Sequence, residues 1–246
     1  MLLIEGTKFR KLETASQTWV IAESLFTSDI SNILSKCFLE TDLGEVVEGG
    51  RLGVRILELP LASGGNISSV VRGYGRGGLI AKLGIRDKYL YPKAGLFSTR
   101  PFLELQTLAI LQKTVGRVPE VLAAGVMKEG KFYKGILVTK KIPGAVTLQE
   151  IGSDKSSYGF ALEAGKLAAK ILSAGVLHLD LHPGNVLLSS KNEVFIIDFD
   201  KAKTGLNEAQ KQKGKDYLIE RWARACRKQY LPVRVVSKFR DGLEAS

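Results

Sequence analysis

Both histidines of this 246-residue chain lie in one short run, His178-Leu179-Asp180-Leu181-His182-Pro183-Gly184-Asn185, and Asp198-Phe199-Asp200 begins thirteen residues beyond Asn185. No other feature constrains the fold as tightly. Upstream, Phe160, Ala164, Leu167, Ala168 and Ile171 recur on one stripe of Phe160–Ala174 and the pattern stops at Gly175, which describes an amphipathic helix ended by glycine. Downstream, Val186–Leu188 and Val194–Ile197 are short apolar runs separated by the polar turn Ser189–Asn192, so two strands are expected there. A helix, a polar loop and a strand–turn–strand therefore carry Asp180, Asn185 and Asp198 at fixed offsets.

An HxDxxxxN segment followed by Asp-Phe-Asp in that frame fits phosphoryl transfer, in which the protein positions groups and neutralises charge more than it reacts covalently. Asp180 is the candidate catalytic residue, accepting the acceptor hydroxyl and its proton. Asn185 and Asp198 are hard oxygen ligands suited to Mg²⁺ on nucleotide phosphates, which makes ATP and Mg²⁺ the expected cofactors. A zinc pair at His178 and His182 would need them on one helical face, and Pro183-Gly184 argues against a helix there. His178 is expected to brace the loop. His182 stays open between a loop role and contact with acceptor or phosphate.

The rest of the chain suggests an α+β fold of two lobes, a strand-rich N-lobe over 1–141 and a helix-rich C-lobe over 142–246, parted at Ile142-Pro143-Gly144. Ile30–Leu39 has helical spacing; Val54–Leu59 and Ser68–Arg72 are strand candidates. Thr99-Arg100-Pro101 opens a helix with Phe102, Leu105, Leu108, Ala109 and Leu111 at helical spacing, with Thr99 placed to cap it. Val121–Met127 and Tyr133–Lys140 flank a turn at Glu129-Gly130. A basic helix is expected around Tyr217–Tyr230, then a break at Pro232 and a short tail.

Two glycine-rich stretches compete as a phosphate-covering loop. Gly73–Gly78 with Lys82 leaves too little chain after the last glycine for a strand hairpin. Gly49-Gly50-Arg51-Leu52-Gly53 is followed nineteen residues on by Arg72, enough for two strands and a turn. In that register Gly49, Gly50 and Gly53 are expected to cover the nucleotide, and Arg72 with Glu104 is the candidate positioning ion pair, as in the kinases named next. Arg76-Gly77-Gly78 is then left for the acceptor, since paired glycines admit an anion to backbone amides and Arg76 adds charge.

The wording of residues 178–200 resembles the protein-kinase-like superfamily, and aminoglycoside, choline-type and lipopolysaccharide-core kinases share it. The series Arg72-Gly73-Tyr74-Gly75-Arg76-Gly77-Gly78-Leu79, Asp87-Lys88-Tyr89 and Thr99-Arg100-Pro101-Phe102-Leu103-Glu104 is similar to the 3-deoxy-D-manno-octulosonic acid (Kdo) kinase family. Val118-Pro119-Glu120-Val121, Phe132-Tyr133 and Leu137-Val138-Thr139 follow in the same order. The resemblance runs from about Gly49 to Leu231. It implies a two-lobed protein-kinase-like fold and ATP-dependent phosphorylation of the 4-hydroxyl of Kdo on a Kdo-bearing lipid A precursor. It also favours the second glycine register, in which Arg72 stands where most kinases carry lysine. Arg100 and His182 join Arg76, Gly77 and Gly78 as acceptor-side candidates.

Charge supports an anionic partner. The net charge is +11, and residues 201–240 hold twelve Lys/Arg against three Asp/Glu; with the resemblance, this points to an anionic inner-membrane surface that also bears the substrate. The aromatics in 201–240 are only Tyr217, Trp222, Tyr230 and Phe239, too few to read as a single-strand stacking platform, so no nucleic acid is expected. The N-terminal residues do not read as a secretory leader, and no apolar run approaches the roughly 18–20 residues that span a bilayer. Cys37 and Cys226 form no metal or disulfide pattern, which suits a reducing compartment. The expected location is the cytoplasmic face of the bacterial inner membrane, peripherally bound. The competing readings are a kinase for another acceptor (a core heptose, a small metabolite, a protein) and an inactive kinase fold that binds membrane.

Overall fold

Every strand pair of the first half of the chain is antiparallel, both between strands joined by a short turn, such as Thr7–Glu13 with Gln17–Ala22, and between strands far apart in sequence, such as Gln17–Ala22 with Val121–Glu129. The structure is a computed structural model that describes residues 2–4, 6–40, 43–47, 54–74 and 88–245. It divides into two units, one of residues 1–109 and 120–141, the other of residues 110–119 and 142–246. Residues 110–119, placed in the N-lobe by the sequence, thus group with the second unit.

The first unit is built on β1 (Leu2–Ile4), β2 (Thr7–Glu13), β3 (Gln17–Ala22), β4 (Glu45–Val47), β5 (Val54–Pro60), β6 (Asn66–Gly73), β7 (Tyr89–Leu90), β8 (Val121–Glu129) and β9 (Phe132–Lys140). Their order is β1-β2-β3-β8-β9-β6-β5-β4, with β7 also paired to β9. Helix α1 (Ile30–Leu39) turns Ile30, Leu34 and Cys37 inward. They join Trp19, Ile21, Leu57, Leu59, Leu122, Ile136 and Val138 in one core. Trp19 lies opposite Gly125 of β8, and a Cβ on that glycine would stand 2.5 Å from the indole; only a bare backbone admits the ring. Helix α2 (Arg100–Thr114) begins after Thr99, whose hydroxyl donates to the Leu96 carbonyl at 2.6 Å.

In the second unit β10 (Val146–Thr147), β11 (Val186–Leu188) and β12 (Val194–Ile196) form a small sheet in that order. Helix α3 (Leu148–Ile151) starts on a Thr147–Glu150 capping box, and α4 (Ser156–Ser173) buries Ala161, Ala164, Leu167, Ala168, Ile171 and Leu172. Helix α5 (Glu208–Lys228) is opened by an Asn207–Gln210 capping box. The short tail expected after Pro232 is in fact α6 (Val233–Glu244), which buries Val235, Phe239 and Leu243. It packs on α4 through two glycines. A Cβ on Gly165 would meet the Phe239 carbonyl at 2.1 Å, and one on Gly242 the Leu162 carbonyl at the same distance. Burying Phe239 alone contributes about 3 kcal/mol.

Cys37 and Cys226 are both free and buried, and burial pushes their thiols up to about 11 and about 12. They are packing residues. Among the described residues no helix is long and apolar enough to cross a membrane.

Candidate active site

His178 anchors the polar loop of the second unit. It is 3% exposed, its Nε2 donates to the Ile197 carbonyl at 2.9 Å, and its Nδ1 accepts the Asp180 backbone N–H at 3.2 Å. That pair of bonds requires one protonated and one bare ring nitrogen, the neutral imidazole. Burial pushes its pKa below the usual histidine value, against the raising influence of the Ile197 carbonyl and the charges of Asp198 and Asp180. The ring also packs on Phe199, centroids 4.8 Å apart. His178 is thus the brace the sequence suggested, tying the segment before Asp180 to the segment before Asp198.

Asp180 is fixed at three places. His178 holds its N–H, the Asn185 side-chain nitrogen donates to its carbonyl at 3.0 Å, and its carboxylate meets Arg221 at Oδ1 and Lys201 at Oδ2, the latter at 3.4 Å. Burial pushes the carboxyl pKa up, but the Arg221 hydrogen bond and the charges of Lys201 and Arg221 together outweigh it and leave the net value lowered. Asp180 is therefore a carboxylate with both oxygens oriented.

Asn185 is buried, and its backbone carbonyl accepts the Ile197 N–H at 3.0 Å. That bond sets Asn185 beside the residue preceding Asp198. Asp198 itself has φ +67°, a left-handed conformation that aspartate tolerates better than most side chains. With its nitrogen committed to the Asp180 carbonyl, the Asn185 amide has its oxygen as the coordinating end, and Asp198 adds a carboxylate. An all-oxygen pair suits Mg²⁺ shared with nucleotide phosphates. Among the described residues no group of three or more His, Cys, Asp or Glu forms a separate metal cage.

His182, left open by the sequence, acts as a loop cap: its Nδ1 accepts the Gly184 N–H at 3.1 Å and starts the one-turn segment Pro183–Asn185. Burial lowers its pKa as well. A Cβ on Gly184 would sit 2.8 Å from Gln149 Oε1 and 3.0 Å from the His182 ring, so a side chain here would displace Gln149 and press on the capping histidine.

In the first unit Arg72, at the end of β6, and Glu104, on α2, form an ion pair at 2.5 Å. The Tyr74 hydroxyl donates to the same Glu104 oxygen at 2.5 Å. The Arg100 guanidinium donates to the Tyr89 hydroxyl at 2.8 Å and lies over the Tyr89 and Tyr74 rings. Gly49, Gly50, Gly53, Arg76, Gly77 and Gly78 lie outside the described residues; β4 and β5, which flank the first of those segments, pair as a hairpin.

Sequence reasoning assigned Lys201 and Arg221 to a diffuse basic stretch, whereas both engage Asp180. Arg221 shares a face of α5 with Tyr217, whose hydroxyl donates to the Leu179 carbonyl at 2.6 Å, so one helix face grips two consecutive loop residues. The i,i+4 spacing of Tyr217 and Arg221 next to buried Leu218 and Trp222 was the available signal.

The family model described as lipopolysaccharide kinase (Kdo/WaaP) family matches residues 59–231. Among curated proteins, a 3-deoxy-D-manno-octulosonic acid kinase of Vibrio parahaemolyticus is 35% identical over 176 residues, which cover 71% of each chain. One of Vibrio vulnificus is 34% identical over 62% of this chain and 64% of that one, and one of Stenotrophomonas maltophilia 33% over 63% and 59%.

Proposed function

Since the chain belongs to the lipopolysaccharide kinase (Kdo/WaaP) family, we propose that it transfers the γ-phosphoryl group of ATP to the 4-hydroxyl of Kdo on a Kdo-bearing lipid A precursor. The relatives that are 33–35% identical to the chain are named for a kinase acting on that sugar. The single observation that most supports the reading is the threefold fixing of Asp180 by His178, Asn185 and the Arg221–Lys201 pair.

In this reading Asp180 accepts a hydrogen bond from the acceptor hydroxyl, aims its oxygen at the phosphorus in line with the leaving group, and takes the proton late in transfer. At neutral pH it is ionised and offers its lone pairs to that hydroxyl. Arg221 and Lys201 hold the carboxylate plane, and one of its lone pairs goes to the hydroxyl when acceptor arrives. Asn185 and Asp198 would hold Mg²⁺, which when bound screens the phosphate charges and draws the phosphates to this loop. His178 keeps the Asp180 and Asp198 segments in register, and neutral His182 shapes the turn between Asp180 and Asn185. Arg72, steadied by Glu104, positions the nucleotide phosphates; an arginine there offers a planar fork where lysine offers a point charge. Gly49, Gly50 and Gly53 cover the nucleotide, and Arg76, Gly77 and Gly78 take part in acceptor binding. Arg100, held on Tyr89, shapes that acceptor side through its neighbours. The acceptor is embedded in lipid, which goes with peripheral attachment to the cytoplasmic face of the inner membrane.

The test is transfer of labelled γ-phosphate from ATP to a Kdo-bearing lipid A precursor with Mg²⁺, beside an Asp180→Ala control. The reading expects a labelled, acid-labile Kdo phosphate that the control lacks. Label appearing only on a heptose-bearing core would overturn the acceptor, and equal transfer by the control would overturn the role of Asp180.

A further inference from the structure

The turn between α5 and α6 has a composition and a backbone that the fold does not account for. Helix α5 closes in a Schellman arrangement: the Leu231 N–H donates to the Cys226 carbonyl at 3.0 Å and the Tyr230 N–H to the Arg227 carbonyl at 3.2 Å. The residue between the cap and Leu231 must then be left-handed, which is normally glycine's place. Here it is Tyr230, at φ +55°. A bulky side chain in that conformation is strained, and burial gives little back, because Tyr230 is 92% exposed. Three residues on, Val233 is 83% exposed. These are the two most exposed large hydrophobic side chains among the described residues.

Their surroundings are cationic. Residues 221–240 hold seven Lys/Arg and no Asp/Glu. Arg221 is engaged at Asp180 and Lys238 pairs with Asp241, while Arg227, Lys228 and Arg234, the last with its guanidinium 5.3 Å from the Tyr158 ring centroid, are exposed and flank the turn in sequence. Two of the other aromatics of this region are withdrawn into the core, where Trp222 and Phe239 stack at 4.1 Å and 8°, and the Tyr217 hydroxyl is bound to Leu179. A nucleic-acid platform needs several exposed rings in series; this turn presents one ring and one aliphatic side chain at the tip of a basic rim. That combination suits an interface that is anionic at its surface and apolar just beneath it.

We propose that the Tyr230–Val233 turn is the membrane-docking element of this protein, inserting Tyr230 and Val233 among the headgroups of an anionic leaflet while Arg227, Lys228 and Arg234 lie on the lipid phosphates. The proposal deepens the membrane part of the function proposed above and rests on that reading. It also narrows the broad basic stretch 201–240 to a few residues, since Lys201 and Arg221 belong to the Asp180 cluster.

The test is flotation of the full chain with phosphatidylethanolamine vesicles, with and without phosphatidylglycerol, alongside thermal melting and transfer to detergent-dispersed acceptor. Wild type is expected to float only with the phosphatidylglycerol vesicles and to be released by salt. Tyr230→Gly relieves the strained position, so its melting temperature should rise by about 2–4 °C while vesicle affinity falls about ten-fold. Arg227→Gln, Lys228→Gln and Arg234→Gln should each weaken binding about five-fold, with transfer to dispersed acceptor unchanged. The emission of Tyr230→Trp should shift to shorter wavelength on adding anionic vesicles. Undiminished vesicle binding by Tyr230→Gly, a lowered melting temperature in that variant, or retention on RNA in place of vesicles would each overturn the proposal. Vesicle binding that depends on Tyr230 in a protein that transfers no phosphate would sink the kinase reading and leave this surface standing.

Discussion

Glu104 in the first unit and Asp180 in the second are both carboxylates held by an arginine and a second donor, yet they are held differently. Arg72 and Tyr74 converge on one oxygen of Glu104, whose side chain is 2% exposed. Arg221 and Lys201 take separate oxygens of Asp180, which is 32% exposed. A buried carboxylate with converging donors exchanges partners only at the cost of leaving a charge unpaired in a medium of low dielectric. A carboxylate at the surface of its unit, spread between two cations, can give a lone pair to an incoming hydroxyl and regain it afterwards. The first arrangement suits a fixed strut and the second suits a group that must change partners in each turnover.

The sharpest way to break the comparison is Asp180→Ala. Phosphate transfer should fall by about 10²–10⁴-fold, the range of a lost positioning base, with the melting temperature close to wild type because the side chain is not part of the core. A melting temperature reduced as far as the activity would make Asp180 as structural as Glu104.

Glu104→Ala should do the reverse. It removes the buried acceptor that Arg72 and Tyr74 share and is expected to cost about 3 kcal/mol of stability, read from urea unfolding at neutral pH. Losing less than about 1 kcal/mol would show that the pair is slack. Arg221→Met sharpens the other side: one cation goes, Lys201 remains, and kcat should fall about ten-fold with stability little changed, as expected for a partly exposed ion pair. An unchanged kcat would mean that Lys201 alone orients the carboxylate.

Several features of this contrast were legible in the sequence and others were not. The spacing of Ile30, Leu34 and Cys37 marked α1, and the offset from Gly53 to Arg72 indicated two strands before the arginine that meets Glu104. Strands β1–β3 gave no such signal. The run Thr7–Glu13 is mostly charged, with Phe9 its one buried residue, and Gln17–Ala22 is buried almost throughout, so neither shows the half-buried period of two. Helix α6 was hidden by composition, since its apolar positions 235, 239 and 243 are separated by charged residues in a short segment after proline. Arg221 was invisible as a site residue for another reason. Its contact with Asp180 spans 41 residues and depends on how α5 lies against the loop, so the i,i+4 spacing with Tyr217 marks a shared helix face but not the loop that this face meets.

The smallest effect concerns the brace that both halves of the Asp180 loop depend on. His178 accepts from the Asp180 N–H and donates to Ile197, so it must stay neutral, and burial holds its pKa below the unfolded value near 6.5. The native state therefore binds fewer protons than the unfolded state below that pH, and stability rises with pH across the window. The contribution is fully present above pH 6.5 and is lost as pH falls through the native-state pKa, at no more than about 1.4 kcal/mol per pH unit for one proton. His182 shares the direction, so two histidines set the slope. Measuring unfolding free energy between about pH 7 and pH 5 for wild type and His178→Gln separates them. The variant should be less stable at pH 7 but show a shallower fall toward pH 5. Equal slopes would mean that His178 takes up its proton without disturbing the loop, and would remove the case for a neutral brace beside Asp180.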